Sequence, residues 1–591
     1  MSEEYSRREW LTLMSIAGGG ALLGPGYPGL IGGMHPSPGS VLPVLPLGST
    51  SEVHVPPRGA SFQQFSFDFP EPSVELGGYR FGFRIFSREN VYGLDQAAIR
   101  AEPTEDGLLL RCDRLVWAGG QEVAPGRLTA RFRLKDDAVE WEVAAELGQP
   151  IKSITTIVRG LPRGKIAVNG GAPFDPGEDE LLYGYPFGAG DLFGGNTAQG
   201  ISTPFISFLP ATGPVLSLTS LDDRVRAKRF YLQPGEQGYR VEAIFEAEGW
   251  RDATLVTAPT WRLSRTDTLE QATERHYDHL AQAHHIPAWE TRPDVPAWLR
   301  STRLVLTLHG MHYTGFVFND FARMLEILRW TAERIPGKEV LVFLPAWDGR
   351  YYWDYPGYEV ASRLGGEAGL KQLVREGHDL GFRFMPMFGA NAANRRHPAY
   401  RQIAAGVTQR LDGGAIALDW VDWDNDRHQE GWLAYMNLGV PAWRAWLAGR
   451  ITDAIERFGV DGYFLDISGG WINNPTADMH EGLCTLVSDI RQQFPDTLAC
   501  GEFHYDALLA CLPLFHVYNR PAARFARFFS HLSHPAPGRG STGVHEAGFG
   551  AFDPATLSLR EGTIATLNVV DDTFSQHRDV MEAVIRAARS R

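Results

Sequence analysis

The stretch from Phe458 to His504 constrains the fold of this chain more than any other. It holds two short apolar runs, Val460 to Ile467 and Thr497 to Phe503, with an amphipathic helical pattern between them. Each run closes on a carboxylate, Asp466 in the first and Glu502 in the second. Apolar runs buried on both faces and joined by a helix are the sequence form of parallel β/α units. In a barrel of such units all strands point their C-terminal ends to one rim, so the spacing predicts that Asp466 and Glu502 share a mouth.

The same rhythm extends in both directions. Runs at Arg303 to Leu308, Glu339 to Leu344 and Phe382 to Phe388 come before, and runs at Leu514 to Tyr518, Phe525 to Phe529 and Thr563 to Val569 come after. Helical patterns fall between them at Phe321 to Ile335, Gly366 to Leu380, Pro441 to Phe458 and Met479 to Phe494, with a last one at Gln576 to Arg589. Pro441 opens its helix and Gly459 closes it, the usual asymmetry of helix ends. Eight runs within 286–591 predict a closed (β/α)8 barrel. An open doubly wound sheet is disfavoured, because no Gly-rich phosphate loop follows the first run.

Upstream, the apolar period changes to two over 61–285. Leu128 to Leu134 and Val139 to Leu147 flank Lys135-Asp136-Asp137 as a hairpin. Further strands are expected at Gly78 to Phe86, Leu108 to Val116, Ile151 to Val158 and Tyr239 to Ala247, and a helix at Leu269 to Ala283. Many short strands between Gly, Pro and Asp clusters predict an antiparallel β-sandwich. The chain is therefore expected to be multidomain, a sandwich followed by a barrel. The loop Tyr183 to Phe193 is aromatic and Gly-rich; it reads first as a packed surface loop, with shaping of a neighbouring site as the alternative.

Residues 1–33 place Arg7-Arg8 ahead of an apolar stretch from Trp10 to Leu23, resembling a twin-arginine export signal. The stretch is short for a membrane span. No A-x-A cleavage site follows it, so a retained signal anchor stays open beside a cleaved signal, and a periplasmic or extracellular location is expected. Residues 34–60 read as a Pro/Gly/Ser-rich linker. A net charge of −14, from 56 basic and 70 acidic residues, disfavours a nucleic-acid or anionic-membrane partner. The four cysteines lack metal spacing and are expected to act as small buried hydrophobes. The acidic insertion with Asp419, Asp422, Asp424, Asn425 and Asp426 does not match a Ca²⁺ loop, so no metal or cofactor is called for.

Two carboxyls on neighbouring strand ends suit cleavage of a glycosidic bond, in which one protonates the leaving oxygen while the other attacks the anomeric carbon or activates water. GVDGYFLD (Gly459 to Asp466) followed by CGE (Cys500 to Glu502) resembles the retaining α-glycosidases of the α-amylase-like clan and related barrel families. The sandwich ahead of the barrel is similar to the layout of α-galactosidase-like and α-glucosidase-like enzymes. The resemblance implies a glycoside hydrolase acting on an α-linked oligo- or polysaccharide, with Asp466 as nucleophile and Glu502 as general acid/base. Departures from the pattern argue against the amylase family proper. Phe464 stands where those enzymes carry Arg, and Ser530, His531 and His534 come without an Asp. The sixth strand, Phe515 to Asn519, has no carboxylate, which leaves Glu502 as the acid.

Residues just past the other strand ends are candidates for holding substrate hydroxyls. They are His309 and His312 after the first strand and Trp347 and Asp348 after the second, within PAWDGRYYWDYPGY. Asn391 follows the third, His504 and Tyr505 the fifth, Asn519 and Arg520 the sixth, His531 the seventh, and Asp571 and Asp572 the eighth. Asp348 ranks first among them because it sits among aromatics. Two other readings stay open: a non-catalytic carbohydrate-binding protein on the same barrel, and a barrel lyase or isomerase. The latter calls for a Lys base or metal ligands, and no Lys lies at a strand end.

Overall fold

The computed structural model describes residues 73–76, 78–117, 122–135, 137–186, 199–235, 238–312, 315–350, 353–409, 417–418, 433–517, 523–530, 561–570 and 573–590. The export-signal and linker segments, the acidic insertion around Asp422 and the loop beyond Pro186 lie outside these residues. The chain divides into two compact units between His284 and His285, with Trp471–Pro475 grouped with the first.

The first unit consists of two sheets, antiparallel except for one short parallel pair, Leu181–Tyr185 with Gln199–Gly200. In one sheet, Ile151–Leu161 lies between Tyr79–Ser87 and Gly238–Glu246. In the other, Ala138–Leu147 lies between Gly126–Lys135 and Trp261–Thr266, and Lys135 faces Ala138 across the expected hairpin. Their facing sides meet in an apolar core. Phe81 of the first sheet packs edge-on against Phe132 and Trp141 of the second at 5.0 and 5.2 Å, and Trp141 donates its indole N–H across to Thr156 at 3.1 Å. Leu269–Ala283 is the expected helix, capped by the Thr268 side chain. The run Leu108 to Val116 is two strands rather than one. Gly107–Cys112 belongs to one sheet and Leu115–Trp117 to the other, the chain crossing at Asp113-Arg114.

The second unit is a closed barrel of eight parallel strands. They are β1 (Leu304–Leu308), β2 (Val340–Leu344), β3 (Arg383–Gly389), β4 (Gly462–Asp466), β5 (Leu498–Glu502), β6 (Leu514–Val517), β7 (Arg527–Ser530) and β8 (Thr563–Val569), in that order around the barrel. β8 pairs back onto β1, Leu304 facing Ala565. The crossover helices are α1 (Phe321–Ala332), α2 (Gly366–Asp379), α3 (Pro441–Phe458) and α4 (Met479–Gln493), and α5 (Arg578–Arg589) closes the chain. Gly459 ends α3 in the left-handed conformation at φ 73°, which explains the Gly read there.

Phe343 of β2, Phe464 of β4, His516 of β6 and Phe529 of β7 pack together inside the barrel, with ring centroids 4.7 to 6.4 Å apart. Side chains alternate along a strand. Phe464 therefore puts Asp466, two residues on, on the same inward face one layer nearer the C-terminal rim. The residue that departs from the amylase pattern is a piece of the barrel floor.

Candidate active site

β4 and β5 run in register, Leu465 facing Gly501. The next positions on each strand are Asp466 and Glu502, so strand spacing puts their backbones about 4.8 Å apart with both side chains turned the same way. Asp466 is buried and Glu502 half-buried. The residue after Asp466, Ile467, has φ 58°, an outlier for a β-branched side chain. That conformation turns its N–H inward. The N–H donates to Glu502 Oε2 at 2.7 Å and also reaches the carboxyl of Asp466. Two acceptors on one N–H lie within about 6 Å of each other, because each is limited to hydrogen-bond distance.

Burial raises both carboxyls above their usual range, and the charge of Glu502 raises Asp466 further, while the Ile467 N–H pulls both the other way. Two coupled carboxyls of this kind titrate as a pair that holds one proton between them over a span of pH. The Tyr355 hydroxyl lies 3.5 Å from Asp466 Oδ2. Tyr355 can lie there because β3 ends in Gly389, the register partner of Asp466. A Cβ at Gly389 would stand 2.4 Å from the Tyr355 ring.

The CGE motif has a similar cause. A Cβ at Gly501 would meet Ser468 Oγ at 2.5 Å, and that oxygen accepts the Glu502 N–H at 2.8 Å. Gly501 thus lets the chain leaving β4 fasten the end of β5. Gly469 lies against His504, where a Cβ would stand 1.9 Å from Nδ1. The His504 ring is hydrogen-bonded to the Glu502 backbone, and burial pushes its pKa down to about 4. Burial and the neighbouring His504 push His516 to about 3, so both imidazoles are neutral at pH 7.

Several expected substrate contacts have other work. Asn391 donates its amide to the Ile467 carbonyl at 2.8 Å, clamping the peptide that serves the two carboxyls. Its Oδ1 is buried with no hydrogen-bond partner among the described residues. Trp347 is 1% exposed, its ring packs on Phe388 and Phe458, and its N–H goes to the Met387 carbonyl at 2.9 Å. Tyr505 is buried too, its hydroxyl 3.1 Å from His480 on α4. His309 and His312 are buried with their rings edge-on to Phe318, and burial holds His312 down at about 3.

Asp348 is buried, and its Oδ2 has no hydrogen-bond partner among the described residues. Burial and the nearby Asp354 charge push it up to about 8. Tyr358 lies near both Asp348 and Asp466, since each charge raises its hydroxyl pKa, and it accepts the Gly389 N–H at 2.8 Å. Asn519, Arg520, His531, His534, Asp571 and Asp572 lie outside the described residues. Among the described residues no group of three or more His, Cys, Asp or Glu side chains is arranged to hold a metal ion.

No protein-family model matches the sequence, and no curated protein matches it. Solved structures do match. The ligand-free α-N-acetylgalactosaminidase NagBb from Bifidobacterium bifidum is 14% identical, with a TM-score of 0.61 over 88% of this chain and 90% of that one. The same enzyme in complex with Gal-NHAc-DNJ is 13% identical, with a TM-score of 0.59 over 78% of each chain. At this identity the likeness is one of fold. An antiparallel sandwich ahead of a closed parallel barrel is an architecture that this chain shares with a glycosidase.

Proposed function

We propose that the chain is a glycoside hydrolase that cleaves α-linked carbohydrate with retention, Asp466 acting as nucleophile and Glu502 as general acid/base. The observation that carries this is the single Ile467 N–H reaching both carboxyls. Oxygens within about 6 Å fit the separation of roughly 5 to 5.5 Å at which one carboxyl attacks the sugar directly. They leave little room for the water held between carboxyls roughly 6.5 to 9.5 Å apart in inverting enzymes.

In the first step Asp466 attacks the anomeric carbon while Glu502 gives its proton to the departing oxygen. In the second, Glu502 takes a proton from the water that breaks the glycosyl ester and frees Asp466. The short bond from Ile467 favours charge on Glu502 in the free protein, the reverse of what the first step needs. Substrate corrects this. Positive charge developing at the anomeric carbon favours ionised Asp466, and the glycosidic oxygen accepts a bond only from protonated Glu502. Asp348, buried and with no hydrogen-bond partner at Oδ2 among the described residues, supports a role in binding a sugar hydroxyl. Arg7-Arg8 ahead of the apolar stretch supports export.

The test is a panel of aryl α- and β-glycosides with the product anomer read by NMR. α-Linked N-acetylgalactosaminides come first, given the activity of the fold neighbour. Asp466→Asn and Glu502→Gln are each expected to lose about 10³-fold or more in kcat/KM while melting like the wild type. Turnover within tenfold of wild type in either variant would refute the roles, and sugar binding without turnover by the wild type would favour the binding-protein reading.

A further inference from the structure

The cysteines are not all inert. Cys112 and Cys500 are fully buried, but Cys484 and Cys511 are half-buried. They meet behind the two carboxylate strands, Cys484 on α4 and Cys511 at the end of the short turn Asp506–Ala510 that follows Tyr505. The two thiols are hydrogen-bonded to each other. His480 lies one turn before Cys484 on the same face of α4, its Nε2 3.7 Å from Cys484 Sγ. Its Nδ1 is held at 3.1 Å by the Tyr505 hydroxyl. The turn carrying Cys511 is braced by Arg292, whose guanidinium donates to the Leu509 and Phe525 carbonyls at 2.7 and 3.0 Å.

We propose that Cys484 and Cys511 form a disulfide by thiol–disulfide exchange with a small-molecule disulfide such as glutathione disulfide. His480 takes the Cys484 proton, and the thiolate attacks one sulfur of the external disulfide, releasing one thiolate and leaving a mixed disulfide. Cys511, giving up its proton to the outgoing thiolate, then attacks Cys484 Sγ and releases the second thiol. Two protein thiols are oxidised and one external disulfide is reduced to two thiols. Cys484 is the attacking member because a base adjoins it. Cys511 resolves, its own thiol being pushed up by its bond to Cys484 and by burial. The charged neighbours are Asp478 and Asp506 beside His480, and Arg292 and Asp294 beside Cys511. The bond would join α4, downstream of Asp466, to the segment downstream of Glu502, and the loop it closes contains Glu502 itself. Four cysteines read as small hydrophobes thus include a built dithiol.

The test equilibrates the full chain with glutathione disulfide, blocks free thiols and maps tryptic peptides without reduction. The expected product joins the peptide carrying Cys484 to Gln492–Arg524, which runs past Arg520 because Pro521 blocks cleavage there; since it holds both Cys500 and Cys511, fragment spectra locate the bond. Cys500→Ser is expected to keep the cross-link and Cys511→Ser to leave glutathione on Cys484. The oxidised protein is expected to melt roughly 5 °C higher, as closing a loop of this length predicts. In His480→Gln the rate of Cys484 alkylation at neutral pH should fall about fivefold or more, with its pH profile moved upward. A natively folded protein that forms no Cys484–Cys511 bond, or that keeps glutathione on Cys484 with Cys511 present, overturns the proposal.

Discussion

Asn391→Ala separates two accounts of one residue. If Asn391 binds substrate, its loss raises KM and leaves the pH dependence of kcat where it was. The geometry argues for a different result. The Asn391 amide holds the Ile467 carbonyl at 2.8 Å, and Ile467 sits at φ 58°, a strain of order 1 to 3 kcal/mol for a residue of this kind. Removing the amide takes the hydrogen-bond partner from this half-buried carbonyl, which costs about 1 to 3 kcal/mol. The two penalties are comparable and both are relieved by the same motion, a rotation of the Asp466–Ile467–Ser468 backbone out of the left-handed region. That rotation withdraws the N–H shared by Asp466 and Glu502.

The N–H holds both carboxyls below where burial alone would put them, so its loss raises both. The singly protonated pair then persists to higher pH, and the pH optimum of kcat moves upward. Misplacement of the pair by the length of a lost hydrogen bond is expected to lower kcat about 10²-fold with KM within a factor of about two. The assay is kcat and KM against pH on whichever aryl glycoside the wild type turns over, alongside thermal melts that should show a loss of about 1 to 3 kcal/mol. A variant with raised KM and an unmoved pH profile would refute the argument and return Asn391 to the substrate.

Asp348 makes a prediction about stability. Its folded pKa of about 8 lies above the ordinary carboxyl range, so the folded protein binds this proton more tightly than the unfolded chain does. Its contribution is most favourable below pH about 4 and is lost as pH rises toward 8, by an amount on the order of a few kcal/mol. Asp348→Asn should therefore melt with a shallower decline over that window, and parallel wild-type and variant melting curves from pH 4 to 8 would rule the buried charge out. Trp347→Phe removes the N–H that pairs with the Met387 carbonyl and should cost about 1 to 3 kcal/mol in denaturant melts with KM unchanged. A large rise in KM would make Trp347 a substrate platform after all.

The barrel was legible because its strands are buried on both faces, which leaves short continuous apolar runs that no surface helix produces. All eight runs became strands, with ends displaced by a residue or two. The sandwich was less exact. Leu108 to Val116 reads as one period-two strand, yet the chain changes sheets at Asp113-Arg114. Cys112, on the sheet just left, points its Sγ at the Arg114 carbonyl, 2.9 Å away. Nothing in a two-residue alternation distinguishes a strand that continues from one that hands over to the opposite layer, since both keep the same faces buried.

The site divides along a similar physical line. Asp466 and Glu502 could be found because each ends a run, and run ends are a local property. The groups that set their chemistry are non-local or conformational. Tyr355 comes to Asp466 from a loop 111 positions away in sequence, and the reason it fits is the absence of a side chain at Gly389. His516 carries no signal of its own in the sequence, a lone His within an apolar run, and its ring serves as barrel filling beside Phe464 and Phe529. The positive φ at Ile467 was hidden by the residue type itself, as a β-branched side chain is the last place to expect it. A trace of it does survive in the sequence. Ser468-Gly469-Gly470 follows Ile467, and each of the three has its size set by a contact in the same turn. Ser468 caps the Glu502 N–H, Gly469 clears His504, and Gly470 clears the Tyr435 hydroxyl, which bonds its carbonyl. Small residues packed directly after a strand-end carboxylate thus mark a turn forced tight enough to put one peptide N–H between two acids.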